Sequence, residues 1–201
     1  MKKFALALAL LMSVSTMTAC GESDTPSEAC VQTVANPFER GTINGNTYEN
    51  KFIEAKIVVP DGWTVLSEKE VSTLKSTDAT IYDAMAADVK SGSNIIVMYE
   101  DLTKEIDNAK DMTMLQYVAS FKVQMTADKT STYTPLGDDA DVQIAGKTYR
   151  KVAYQTTSNT MSGTFYQAAY LRKFGTYIAG FIFTATSPSE ITTMESYISA
   201  L

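Results

Sequence analysis

From about Thr42 onward, short apolar runs alternate with polar breaks, and the spacing within each run assigns it to strand or helix. Phe52 to Val59 is rich in β-branched and aromatic residues and stops at Pro60, as a strand does. Pro60-Asp61-Gly62 predicts a turn, since Pro presets φ and Gly accepts a positive φ, and Trp63 to Leu66 resumes extended. Trp63 reads as a core anchor. Ser67-Glu68-Lys69-Glu70 is a capping-box pattern and opens a short helix that buries Val71 and Leu74. Ile81 to Ala87 suits a helix by propensity. A strand is the better reading, because polar Asp88 to Ser93 then joins it to Asn94–Tyr99 as a hairpin. Thr113 to Gln116 is a second capping box. Met114, Val118, Phe121 and Met125 follow on one face of a helix ending near Asp128.

The later part of the chain is mostly extended. Val142–Ala145 and Thr148–Thr157 flank a tight turn at Gly146-Lys147, and Thr164–Leu171 and Tyr177–Ala185 flank a turn around Lys173-Phe174-Gly175. The run from Tyr177 to Phe183 is almost wholly apolar, so its strand belongs at the centre of a sheet covered on both faces. Ser187-Pro188-Ser189-Glu190 starts a C-terminal helix marked by Ile191, Met194, Ile198 and Leu201. Strands joined by hairpins are antiparallel, and the helices between and after them must cover the sheet. The fold class expected is α+β: an antiparallel sheet of about six or seven strands with helices on its faces.

The first residues follow another pattern. Lys2 and Lys3 precede an apolar run from Phe4 to Met12, and small residues lead to Ala19-Cys20. That is the make-up of a secretory signal, and the run is far short of the roughly 20 residues that span a bilayer core. Met17-Thr18-Ala19-Cys20 resembles a bacterial lipobox, with Met17 where that motif usually has Leu. The resemblance implies removal of residues 1–19 and a diacylglyceryl group on the Cys20 thiol, whose two acyl chains anchor stably where one chain alone is marginal. Residues 20–41 are expected to be a lipidated flexible tether and 42–201 a single domain. The expected location is the extracytoplasmic face of a bacterial cell membrane, on the periplasmic side or the cell surface. An ordinary signal followed by a chance cysteine is the simpler alternative.

Removing residues 1–19 leaves 15 Lys and Arg against 23 Asp and Glu, a charge of −8. Nucleic acid and anionic head groups would repel such a chain, so no nucleic-acid partner is expected. With Cys20 lipidated, Cys30 has no intramolecular partner, and it is either a free thiol or the link of a dimer. The chain has no histidine, which removes Ser-His-Asp and Cys-His catalysis and most transition-metal sites. No phosphate-cradling glycine loop occurs, and no cofactor is expected. Asp138, Asp139 and Asp141 could offer oxygen to Ca²⁺ but lack the spacing of a calcium loop, and a solvated turn is the plainer reading. Glu100-Asp101 reads as a charged loop after a strand. Tyr149, Tyr154, Tyr166, Tyr170 and Tyr177 fall in the late strands and form a possible binding surface, tyrosine being favoured at interfaces as well as in sheets.

The order of elements resembles the PsbP-like fold of an extrinsic photosystem II protein, a Ran-binding import factor and bacterial lipoproteins of the DcrB type. The resemblance rests on Thr47-Tyr48-Glu49-Asn50, Val59-Pro60-Asp61-Gly62-Trp63, Tyr82-Asp83-Ala84-Met85-Ala86 and Tyr99-Glu100. The helix from Thr113 to Tyr117, the Ile144–Lys147 turn and the strand from Tyr166 to Tyr170 complete it. It covers most of 42–201 and implies a fold, not ligand residues. The expected function is non-enzymatic: a membrane-anchored lipoprotein that binds a protein partner or aids assembly of a membrane complex. A small-molecule or envelope-lipid binder is the alternative, and a hydrolase a distant one.

Overall fold

The computed structural model describes residues 31–32, 37–74, 77–127, 129–158 and 163–201. Residues 1–19, expected to be a secretory signal, and Cys20 and Cys30 lie outside them. Thirteen strands are described: β1 (Val31–Gln32), β2 (Thr42–Asn44), β3 (Thr47–Asn50), β4 (Ala55–Val58), β5 (Thr64–Val65), β6 (Thr80–Ala87), β7 (Asn94–Asp101), β8 (Ser131–Pro135), β9 (Ala140–Ile144), β10 (Lys147–Ser158), β11 (Thr164–Phe174), β12 (Tyr177–Ala185) and β13 (Ile198–Ala200). Helix α1 is Glu68–Val71, α2 is Met114–Ala127 and α3 is Pro188–Glu195.

The class is α+β as expected, but the strands form two sheets rather than one of six or seven strands. A nine-stranded sheet has the order β5-β6-β7-β12-β11-β10-β8, with β9 beside β10 and β1 parallel to β11. A four-stranded sheet has the order β13-β4-β3-β2. The apolar strand β12 lies near the centre and is buried along almost its whole length. One face of the large sheet packs on the small sheet and α3, through Ile57, Phe181, Phe183 and Met194. The other packs on α1 and α2, through Val71, Val118, Phe121 and Ile182. Two hydrophobic layers therefore share one wall.

Local chemistry explains the element ends. Thr113 Oγ1 accepts from the Gln116 amide at 3.2 Å while Gln116 Oε1 accepts from the Thr113 amide at 2.9 Å, closing the reciprocal cap of α2. Four of the five residues buried by α2 are the predicted Met114, Val118, Phe121 and Met125, and Tyr117 is the fifth. Trp63 packs edge-on to Tyr197 at 5.9 Å, against the core as expected.

Four expectations need correction. The strand drawn from Phe52 begins only at Ala55, because the Asn50 side chain accepts from the Phe52 and Ile53 amides and turns the chain there. The tight turn is Ala145-Gly146, one residue earlier than Gly146-Lys147. Both have positive φ (53° and 73°), the twist that a two-residue hairpin requires. Strand β11 runs through Phe174, and its turn is Gly175-Thr176. The C-terminal helix stops at Glu195, and Ile198 pairs with Ile57 at the edge of the small sheet, leaving Leu201 exposed. Helical spacing and this helix-turn-strand put Ile198 on the core alike, so periodicity could not tell them apart.

Ala145 holds a left-handed conformation that costs an L-residue about 1–2 kcal/mol. Ala145→Gly should relieve it, offset by the chain entropy of glycine, and raise the free energy of unfolding by about 0.5–1 kcal/mol in a urea titration.

Candidate functional site

The feature that stands out in this packing is a carboxylate inside it. Asp83 is 5% exposed in the middle of β6. A β-bulge puts it there: Tyr82 lies opposite Met98 and Ala84 opposite Val97, so Asp83 is the extra residue. The bulge turns Asp83 toward the small-sheet layer, the same side as Ala84, while Tyr82 faces α2.

Donors from four places converge on it. Oδ2 accepts from the Gly41 amide at 2.8 Å, the Tyr48 hydroxyl at 2.5 Å and the Asn50 side chain at 3.3 Å. The Arg40 guanidinium stands 3.6 Å from Oδ1 at the solvent rim and also donates to the Tyr82 carbonyl. Tyr48 has one proton and gives it to the carboxylate, so Tyr99, 3.2 Å away, donates to Tyr48 in turn. Burial, more than any neighbour, holds both phenols well above the ordinary tyrosine pKa. They act as donors, not as titrating groups.

These donors hold the residues that precede the domain. Asn50 also donates to the Glu39 carbonyl. Phe38 stacks on Tyr177 at 4.8 Å and meets Phe52 and Tyr99 edge-on. Gly41 is required by space: a Cβ there would stand 2.3 Å from the Tyr48 ring and 2.7 Å from the Glu49 carbonyl. Farther back, Val31 and Gln32 pair with Lys173 and Phe174 of β11. Part of the stretch expected to be a tether over 20–41 is thus folded onto the domain.

A second buried carboxyl lies on the opposite face. Glu100 is 2% exposed and accepts from the Tyr117 hydroxyl of α2 at 2.6 Å. The loop reading of Glu100-Asp101 was therefore wrong. Strand β7 continues through Asp101, which caps the short 3₁₀ turn after it by accepting from the Thr103 amide. Burial raises the Glu100 pKa, partly opposed by the Tyr117 hydrogen bond. Across the sheet, Glu100 lies opposite Ile178 and Ile178 opposite Lys173. The Lys173 ammonium donates to the carbonyls of Lys110 and Met112 at 2.7 and 2.6 Å, fixing the loop that enters α2. Burial lowers its pKa.

The five late tyrosines do not share one exposed face. Tyr149, Tyr154 and Tyr170 are buried, and Tyr166 and Tyr177 are half-buried. Tyr154 belongs to the α2 layer and the other four to the small-sheet layer. Tyr170 donates to Glu195 of α3, which Lys151 also pairs at 2.8 Å. Burial pushes the Tyr154 hydroxyl up to about 12. Of the three aspartates considered for Ca²⁺, Asp139 pairs with Lys122 and Asp141 with Arg150, each at 3.1 Å. Among the described residues no acidic group has the company of a metal site.

Between the two sheets lies an apolar cavity of about 20 Å³ lined by Tyr48, Ile57, Ala86 and Ile95 among others. That is room for about one water molecule.

No protein-family model and no curated protein sequence matches the chain. Solved structures do match it in shape. The solution structure of cyanobacterial PsbP (CyanoP) from Synechocystis sp. PCC 6803 superposes with a TM-score of 0.50 at 13% identity, over 80% of this chain and 98% of that one. The fold is PsbP-like. The Saccharomyces cerevisiae Ran-binding protein Mog1p gives 0.41 at 13% identity, over 77% of this chain and 84% of its own. A mutant of Mog1 gives 0.42 at 14% over the same shares.

Sequence reasoning took Tyr48, Asp83 and Tyr99 as markers of a fold and missed their joint role. The available signal was an aspartate inside Ile81–Ala87, where strand alternation leaves no exposed position for it.

Asp83→Ala should leave its donors buried without an acceptor and cost about 3–5 kcal/mol of stability, read from chemical denaturation. It should also open the Arg40-Gly41 bond to trypsin under native conditions, where the parent is protected. Glu100 gives a pH signature. Its folded pKa lies above its ordinary value of 4.5, so the folded state binds the proton more tightly and stability falls as pH rises from about 4.5 through the folded pKa. Glu100→Gln should keep an acceptor for Tyr117 and abolish that loss, so its advantage over the parent grows with pH across a series of denaturation curves.

Proposed function

We propose that this protein is a membrane-tethered, non-enzymatic binding module that docks a protein partner or supports assembly of a membrane complex, held outside the cytoplasm by lipid on Cys20. The observation that supports a surface-binding role most directly is the filled interior. The described cavity has room for about one water, whereas small-molecule pockets run to several hundred Å³. Among the described residues, the two buried carboxyls are each spent on internal hydrogen bonds that fasten one element to another. Binding then takes place on the outside, and the ligand suited to an outer surface is another macromolecule. The tether is supported by the lipobox-like Met17–Cys20. Residues 37–41 dock on the domain, so the chain joins it along a defined course.

In-cell cross-linking of the full-length protein, followed by detergent extraction and mass spectrometry, tests this. One partner recovered reproducibly, and lost with Cys20→Ala, is the expected result. Recovery of the protein alone, together with a saturable rise in melting temperature on adding a small molecule, would sink it in favour of a ligand carrier.

A further inference from the structure

Among the described helices, α2 has an outer face unlike the others. Leu115, Ala119 and Val123, spaced four apart, form an exposed stripe, with Leu115 41% and Val123 52% exposed. Their neighbours on that face are Gln116, Thr126 and Ala127. Lys122, on the same face, is the one charged residue among the 14 of α2, and its charge is paired with Asp139. By contrast α1 carries Glu68, Lys69 and Glu70, and α3 carries Glu190 and Glu195. In a protein with 23 acidic residues, α2 contributes no carboxylate of its own, and the one beside it, Asp139, is neutralised by Lys122.

The second observation is where the chain enters the described fold. Val31 pairs with Lys173, and the side chain of Lys173 reaches the Lys110 and Met112 carbonyls, four and two residues ahead of α2. One strand spacing plus one lysine side chain, on the order of 10–15 Å, separates the incoming chain from the start of this helix. The eleven steps from Cys20 to Val31 span at most about 37 Å. A helix of 14 residues is about 21 Å long, so the whole of it lies within reach of an anchor at Cys20.

We infer that α2 lies against the bilayer surface, with Leu115, Ala119 and Val123 as the contact, so that the domain faces the membrane with its α2 layer and turns its small-sheet and α3 layer outward. The inference rests on the lipidated-anchor reading of Cys20. Two exposed aliphatic side chains are too little to bind a membrane from solution. They orient a protein that the anchor already holds there, because tethering turns the second contact into an intramolecular one. The other faces carry carboxylates, which anionic lipid repels. The anchor thus sets the distance and α2 sets the orientation. The partner of the preceding section would meet the side of Glu190 and Glu195.

The test uses the full-length lipidated protein with Cys30→Ser and one added cysteine, Leu115→Cys or Val123→Cys, carrying an environment-sensitive dye. Val89→Cys is the control, exposed in the connection at the other end of the large sheet. The proteins are incorporated into phosphatidylcholine vesicles with and without brominated acyl chains. Labels at 115 and 123 should shift to shorter wavelength and be quenched by bromine, while the label at 89 does neither. With Cys20→Ala no position should respond to the vesicles. Protein that floats with the vesicles but shows the same emission at 115, 123 and 89 overturns the orientation and leaves the anchor intact. A shift at 115 and 123 that grows with protein concentration in the absence of lipid also overturns it and identifies a second copy as the occupant. Parent protein that fails to float overturns the anchor itself, and the orientation with it.

Discussion

Asp83 is the point on which the small-sheet side of this molecule depends. A carboxylate costs several kcal/mol to remove from water unless donors replace the water. Here those donors come from the incoming segment at Gly41, from β3 at Tyr48 and at its last residue Asn50, and from the rim at Arg40. None of them satisfies the charge alone. The carboxylate therefore fixes the register of β6, the packing of the two sheets and the course of the incoming chain together. The bulge follows from the same need. Without the extra residue, strand alternation could not set both Asp83 and Ala84 on this face.

Glu100 plays a narrower part on the other face. It tethers α2 through Tyr117, while Lys173 holds the loop that leads into the helix. Both contacts lie at one end of the large sheet, near β1. The wall between the two hydrophobic layers thus contributes one carboxyl to each side, and each fastens a different element to it.

Much of this was legible in the chain. The capping boxes at Ser67, Thr113 and Ser187 each mark a real helix start, because a side-chain acceptor three residues from a helix end is a local matter that needs no tertiary context. The Asp88–Ser93 connection and the central place of β12 could likewise be read, from polar breaks and from an apolar run too long for an exposed strand. What failed was non-local. Phe52 and Ile53 look like strand residues, and only the reach of Asn50 back to their amides makes them a corner. Ile198 falls on the buried side of a helix or of a short strand alike, and the open edge of β4 decides for the strand. The late tyrosines mark strands correctly, but composition cannot say which face of a sheet will be covered, and here both are. Asp83 reads only as a marker of the fold and Glu100 as part of a charged loop, because the partners that bury them are distant in sequence.

The pairing of Ile198 with Ile57 bears on how such a chain acquires its structure. Strands β3 and β4 are made early and can form their hairpin at once, yet one edge of that hairpin stays open until β13 arrives far later. During synthesis, Ile57 and Val59 wait beside an unpaired strand edge, the kind of surface on which unfinished chains join one another. The order in which the chain emerges therefore leaves its early hairpin exposed for longest.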